Sequence, residues 1–149
     1  GKFAHILVES GGRRCACGKR GHLESYVSKP AMEEAYFEAS GKRLELPEIC
    51  RLAGEGEKAA AAVLKDAIDK LAIGINQILL VVNPGTLVLY GDLFESVDGI
   101  LERLKQKTKE LAFTEEIADN CWMVRETKNV RIEDSIARLS VERALEIIV

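Results

Sequence analysis

Apolar residues recur at steps of three and four along the middle of the chain, which is the spacing of one face of an amphipathic helix. The longest such stretch runs from about residue 57 to residue 82, and Asn83-Pro84-Gly85 ends it. Gly74 lies inside this stretch, where glycine costs up to about 1 kcal/mol relative to alanine, so we expect another backbone to approach it closely. The predicted apolar face consists of Leu64, Ile68, Leu71, Ile75, Ile78 and Val82.

Shorter patterns predict further helices on both sides of the long one. Pro30 opens a helix that Gly41 ends, and Pro47 opens a second one that ends near residue 53. The remaining predicted helices are a turn at 23–27, a helix from 93 or 94 to 112, and a last helix at 133–148 with Ile136, Leu139, Ala144, Ile147 and Ile148 as core candidates.

Runs rich in apolar and β-branched residues predict three strands: 3–8, Thr86 to Tyr90, and Cys121 to Arg125. Strands that alternate with helices in the second half predict an α/β layer with parallel strands. Since no linker or repeat interrupts the chain, we expect one domain over 1–149. Its parts are a candidate metal loop at 5–24, a helical segment at 25–83 and an α/β segment at 84–149.

Composition excludes several classes of protein. The chain has 149 residues, 47% of them hydrophobic and 30% charged, which is typical of a globular domain and not of a disordered one. A net charge of −3 gives no global electrostatic case for nucleic-acid binding. No apolar run reaches the roughly 18 residues that a membrane span requires, so we expect no membrane association. The first residue is not methionine, which suggests part of a longer protein.

Four residues near the start could bind a metal ion: His5, Cys15, Cys17 and His22. The chain has only two histidines, and both flank its only closely spaced cysteines. Thiolate and imidazole are the usual ligands of structural Zn²⁺, which takes four of them in a tetrahedron. The alternatives are a catalytic zinc, a disulfide, or surface thiols with incidental histidines.

Other residues that could bind a ligand are better explained by packing. Trp122 could stack on a sugar, but it lies in an apolar run and is expected in the core. Tyr90 is expected to pack or to block the site, and not to act as a catalyst. Cys50 and Cys121 are expected to be small buried hydrophobic residues.

Three motifs together resemble the ROK family (repressors, open reading frames and kinases). Residues 15–24, Cys-Ala-Cys-Gly-Lys-Arg-Gly-His-Leu-Glu, resemble the family's CxCGxxGCxE zinc motif. Residues 1–5 are similar to its GExGH segment, and residues 83–91 to its NPxxIVLGG segment. The resemblance implies the C-terminal lobe of a ribonuclease-H-like, actin-type ATPase fold, with a zinc-binding loop and a helical insertion. The family's phosphate loop, its catalytic Asp and the DNA-binding domain of its repressors would all lie upstream.

The resemblance also implies roles for individual residues. His5, Cys15, Cys17 and His22 would bind zinc, with His22 in place of the family's third cysteine. His5 and Glu24 would contact sugar hydroxyls, as in the sugar-binding members of the family. Lys2 stands where the family has the Glu of GExGH. A carboxylate that accepts hydrogen bonds is therefore replaced by an ammonium group that only donates them. That change would shift the ligand preference toward acidic or phosphorylated sugars, or abolish binding.

The nucleotide side departs further from the family pattern. Gly91 is the single glycine where the family has two, and Tyr90 and Asp92 flank it with a bulky ring and a negative charge. Asp92 would repel phosphate groups, so Gly91 marks a degenerate nucleotide site. Residues 135–138, Ser-Ile-Ala-Arg, replace the small face that the kinases present to adenosine. We therefore assign no catalytic residue and expect no enzyme activity.

These changes favour the regulator branch of the family. The leading hypothesis is the effector-sensing and oligomerising part of a cytoplasmic ROK transcriptional regulator. It would respond to a carbohydrate-related ligand, form homo-oligomers, and bind DNA through an N-terminal domain outside this chain. The alternatives are the C-terminal half of an ATP-dependent sugar kinase and a zinc-stapled interaction module without a small-molecule ligand.

Overall fold

The computed structural model describes residues 3–84 and 86–113, together with the backbone of two strands at 121–125 and 144–148. Helices dominate the first part of the chain, and a small parallel sheet follows. After a 3-10 helix at Phe3–His5, the elements in chain order are α1 (Glu24–Val27), α2 (Lys29–Ser40), α3 (Leu46–Gly54), α4 (Lys58–Val82), β1 (Thr86–Tyr90), α5 (Asp92–Ser96), α6 (Ile100–Leu111), β2 (Cys121–Arg125) and β3 (Ala144–Ile148).

The long helix α4 is the centre of the core. The Glu57 side chain caps its start by accepting a hydrogen bond from the Ala60 backbone N–H at 2.6 Å. Helices α1, α2, α3 and α6 all pack against α4. Its predicted apolar face is buried from Leu64 to Ile78. Val82 is 53% exposed, so its placement in the core was wrong. The whole last turn, 80–82, is exposed because none of the described elements covers it.

Gly74 is close-packed, as expected, but against side chains and not against a backbone. A Cβ added there would lie 3.1 Å from Leu23 Cδ2, 3.2 Å from Phe3 Cζ and 3.4 Å from Ile6 Cγ2. Glycine at this position thus allows the first residues of the chain to lie directly on α4.

The sheet has the order β2-β1-β3, and both pairings are parallel. Thr86 at the start of β1 pairs with Cys121 on one side and Ala144 on the other. In β1, Leu87, Val88 and Leu89 are fully buried, which is typical of a strand covered on both faces. The predicted parallel arrangement is confirmed, and Tyr90 is buried as expected.

Three predicted elements differ from the structure. The strand at 3–8 is wrong, because an Ile6 N–H to Phe3 C=O bond of 2.9 Å closes a 3-10 turn and Leu7 makes only an isolated bridge to His22. The single helix to residue 112 is broken between α5 and α6, where Gly99 adopts the left-handed conformation. The predicted last helix is wrong at its end, because Ala144–Ile148 pairs with β1 as a strand.

Residues 133–143 of that predicted helix lie outside the described residues, as do the side chains of Cys121 and Trp122. Cys50 is 5% exposed and packs in the core, as predicted. No described helix is long and apolar enough to cross a membrane.

Candidate metal centre

The segment between the 3-10 helix and α1 folds back on itself as an irregular hairpin. Antiparallel bridges join Leu7 to His22 and Arg14 to Arg20. Backbone N–H groups close it, with Cys15 N–H donating to Lys19 C=O at 2.8 Å and Gly21 N–H to Arg13 C=O at 2.8 Å. The two antiparallel bridges thus pair two arms of the hairpin, residues 7–14 before the cysteines and residues 20–22 after them.

Two glycines allow this path. Gly18 and Gly21 have φ of +89° and +78°, in the left-handed region that side chains rarely adopt. A Cβ on Gly21 would also lie only 1.6 Å from the Glu9 carbonyl oxygen. The glycines of the Cys-x-Cys motif are therefore geometric requirements of the hairpin.

The hairpin brings the four predicted metal ligands into one group. One donor atom each from His5, Cys15, Cys17 and His22 lies within 4.8 Å of all the others. Cys17 Sγ is 3.2 Å from His22 Nδ1, and Cys15 Sγ is 3.7 Å from His5 Nδ1. The centroids of the His5 and His22 rings lie 5.3 Å apart.

The four donor atoms are close to the arrangement that a tetrahedral ion requires. Bonds of about 2.3 Å to sulfur and about 2.0–2.1 Å to nitrogen place neighbouring ligand atoms about 3.3–3.8 Å apart. The Cys15–His5 distance lies in that range, the Cys17–His22 distance is just below it, and the 4.8 Å limit of the group exceeds it by about 1 Å. Two thiolates and two imidazoles are also the donor set that Zn²⁺ prefers among common ions. Four protein ligands leave no vacant position for a substrate, so the arrangement suits a structural ion and not a catalytic one.

The two cysteines have different surroundings. Cys15 is buried, and burial, with the Glu24 carboxylate nearby, raises the pKa of its thiol to about 11. Cys17 is exposed at the tip of the hairpin.

Glu24, predicted to bind a sugar, contacts two of the predicted metal ligands directly. Its Oε2 lies 3.1 Å from Cys15 Sγ and 3.7 Å from His5 Nδ1. The side chain is still 37% exposed, so it can also reach a ligand in solvent. Glu24 and His5, which share the predicted sugar role, are therefore neighbours in space. Lys2, the third predicted ligand-binding residue, lies outside the described residues.

The predicted degenerate nucleotide site is at the carboxyl end of β1. Gly91 precedes α5 with φ of +127°, and Asp92 is the first, exposed residue of that helix. The Asp92 carboxylate acts on Lys29 at the start of α2, where it adds to the larger effects of Glu45 and Glu33 in raising the lysine pKa. An acidic side chain therefore stands at the position where a nucleotide phosphate would approach a helix start.

Sequence reasoning missed a polar cluster behind the hairpin. Tyr26 in α1 donates a hydrogen bond to Glu9, and Arg13 forms an ion pair of 2.9 Å with Asp66 in α4. Asp66 lies far along the chain from Arg13, so no local pattern in the sequence could reveal the pair.

About half of the chain is similar in sequence to bacterial sugar kinases. N-acetyl-D-glucosamine kinase of Shigella boydii serotype 4 is 35% identical over 81 residues, which are 54% of this chain and 27% of that protein. The chain thus spans about a quarter of the length of the curated relatives it matches.

Solved structures include both kinases and a regulator. A ROK hexokinase from Thermus thermophilus superposes with a TM-score of 0.72 at 24% identity, over 85% of this chain and 41% of that chain. A ROK transcriptional regulator homologous to the Escherichia coli MLC protein gives 0.67 at 21% identity, over 83% of this chain and 33% of that chain. These likenesses establish a shared fold, the mixed helix and strand fold of ROK proteins.

The sequence profile of the ROK family matches residues 1–131, most of the chain. The predicted family resemblance is therefore confirmed: this chain belongs to the ROK family.

Proposed function

We propose that this chain is the metal-binding and ligand-sensing part of a ROK transcriptional regulator. The observation that carries the proposal is the contact of Glu24 with both Cys15 and His5. A carboxylate that accepts hydrogen bonds from a sugar would then act directly on the metal ligands. Lys2 in place of a carboxylate and Asp92 beside Gly91 support a sensor over a kinase.

His5, Cys15, Cys17 and His22 would hold one Zn²⁺, which when bound cross-links the two arms of the hairpin. Glu24 would orient the sugar by accepting from its hydroxyl groups, and Lys2 would attract an acidic or phosphorylated one. Sugar binding would change the position of the Glu24 carboxylate relative to Cys15 and His5. The hairpin would then favour one of two positions, which is the differential contact that a sensor requires.

The proposal extends to partners outside this chain. A regulator would bind DNA through an N-terminal domain and act as a homo-oligomer in the cytoplasm. N-acetyl-D-glucosamine and its phosphate are the first effectors to test, because the curated relative described above is named as a kinase of that sugar.

The test uses the full-length protein that contains this chain. Elemental analysis gives its zinc content, and thermal shift with each sugar, with and without ATP, gives ligand binding. Glu24→Gln is expected to abolish the sugar shift, while Glu38→Gln, on the exposed face of α2, leaves it unchanged. Lys2→Glu is expected to move the preference from the phosphorylated to the neutral sugar.

A sugar kinase is the second candidate, favoured by the named kinases among the relatives and structural neighbours. Steady ATP-dependent phosphorylation of a sugar would establish it and overturn the regulator. Bound zinc with no response to any sugar would instead favour an interaction module without a small-molecule ligand.

A further inference from the structure

The hydroxyl group of Tyr26 lies at the centre of the polar cluster behind the hairpin. Tyr26 as a whole is 2% exposed. The hydroxyl accepts from the Arg13 backbone N–H at 2.8 Å and donates to Glu9 Oε2 at 2.5 Å. Tyr26 is in α1, the helix that begins at Glu24 two residues after His22, whereas Glu9 and Arg13 are in the arm that leads to Cys15. The hydroxyl thus joins the first arm of the hairpin to the helix that follows the second arm.

The hairpin is closely fitted to this hydroxyl. A Cβ on Gly12 would lie 2.0 Å from Tyr26 Oη and 2.8 Å from Glu9 Oε2. The backbone between Glu9 and Arg13 therefore lies directly on the hydroxyl, with no room for a side chain at residue 12.

Helix α4 holds the same arm from behind. Lys70 Nζ lies 3.2 Å from Glu9 Oε1 and is largely buried, with 15% of its side chain exposed. Arg13 reaches Asp66 at 2.9 Å. The Lys70 and Arg13 cations also lie 5.2 and 5.0 Å from the centroid of the Tyr26 ring, within cation–π range. The arm that carries the two cysteines is therefore attached to the central helix through charged groups.

We propose that Tyr26 and Glu9 are positioning residues of the metal centre. They hold residues 9–13 in place, so that Cys15 and Cys17 lie close to His5 and His22 in the metal-free protein. Lys70 attaches this segment to α4 through its ion pair with Glu9. This inference rests on the metal binding in the proposed function. A preorganised site loses less conformational entropy when it binds, so loosening the arm lowers metal affinity even though every ligand remains.

The decisive variant is Tyr26→Phe, which keeps the ring and removes only the hydroxyl. Tyr36→Phe is the matched control, because Tyr36 is equally buried, at 1% exposure, but lies on α2. Zinc affinity is measured in the full chain by competition with a chromophoric chelator, at a temperature where the metal-free proteins are folded. We expect Tyr26→Phe to bind zinc about ten-fold more weakly, the lower end for residues that support metal ligands. Tyr36→Phe should change affinity by less than about two-fold.

Two further variants keep the proposal testable if Tyr26→Phe does not fold. Glu9→Gln keeps the size of the side chain and removes its charge, and Lys70→Met removes the cation from α4. Both should weaken zinc binding in the same direction. Lys65→Met is the control for Lys70→Met, because Lys65 pairs with Asp69 on an exposed part of the same helix.

A second readout separates positioning from general stability. The visible absorption of bound Co²⁺ reports the geometry of its ligands, and it should broaden or weaken in Tyr26→Phe but not in Tyr36→Phe. Wild-type affinity in all the Tyr26, Glu9 and Lys70 variants overturns this inference while leaving the metal site intact. Failure of the wild-type protein to bind zinc at all overturns the metal binding in the proposed function as well.

Discussion

Cys15 and Cys17 are two positions apart and differ in accessibility, which predicts different reactivity. Cys15 is 3% exposed with a pKa of about 11, and Cys50 is 5% exposed with a pKa raised to about 11 by burial. Because the thiolate is the reactive form, a thiol-specific alkylating reagent should modify Cys17 at least about ten-fold faster than either one in metal-free protein. Peptide mapping by mass spectrometry measures the three rates. Equal rates at Cys15 and Cys17 would contradict the burial described here.

The glycines of the hairpin provide a matched pair of substitutions. Gly18→Ala places a Cβ in open space, so only its left-handed backbone is strained, at about 1–2 kcal/mol. Gly21→Ala has the same backbone strain and also collides with the Glu9 carbonyl oxygen. We expect Gly21→Ala to lower the free energy of unfolding by clearly more than Gly18→Ala, as measured by urea denaturation. If the two variants are equally stable, the hairpin does not follow this path.

Glu9 gives the protein a defined response to acid. The hydrogen bond from Tyr26, and next that from Lys70, hold the pKa of Glu9 below its ordinary value of 4.5. A depressed native pKa means that ionised Glu9 stabilises the fold above pH 4.5, and that this contribution is lost as the pH falls through the lowered value. Below pH 4.5 the melting temperature of the wild type should therefore fall more steeply than that of Tyr26→Phe. Parallel curves for the two proteins would exclude this role.

At the scale of elements, α4 forms the centre of the core. Leu71 is fully buried in the middle of α4, and truncating it to alanine should cost about 2–5 kcal/mol, because the lost methyl groups leave a cavity in the packed core. Val81, in the exposed last turn, is 85% exposed, and Val81→Ala should change stability by less than about 0.5 kcal/mol. Chemical denaturation of the two variants measures the difference, and similar losses would contradict the burial of α4.

Elements with strong local signals were predicted well. The helical period identified α4, and glycine and proline identified the ends of α2 and α3. The Val97-Asp98-Gly99 turn lies inside a longer helical pattern, and the left-handed Gly99 in it separates one helix from the next. The run Ala-Leu-Glu-Ile-Ile at 144–148 is too short for its period to decide between helix and strand, and pairing with β1 decides it.

The candidate site could be predicted only in part, for a related reason. The four predicted metal ligands fall close together in sequence, so their types and spacing were sufficient to group them. The partners of Glu9 and Arg13 on α4 are distant in sequence, and only the packing of the hairpin against that helix brings them together. Contacts of this kind have no periodic signature.

At the scale of the whole molecule, we expect the chain to self-associate. Val81 and Phe113 are 85% and 86% exposed in the described part of the structure, and large exposed apolar side chains favour association. The mass from light scattering should rise with protein concentration. Replacing both residues with lysine should reduce that rise, whereas Ala39→Lys on exposed α2 should not. A constant monomer mass over the whole concentration range would contradict this expectation.

The closeness of the four metal ligands along the chain has a consequence for synthesis. All four predicted ligands lie between residues 5 and 22, so the backbone hydrogen bonds that close the hairpin around them are short in sequence. Short loops cost little entropy to close, and each doubling of length adds only about 0.6 kcal/mol. Under the proposed function, the four ligands would therefore come together on the nascent chain before α4 is complete. Asp66 and Lys70 of α4 would then pair with Arg13 and Glu9 and fix the hairpin in place.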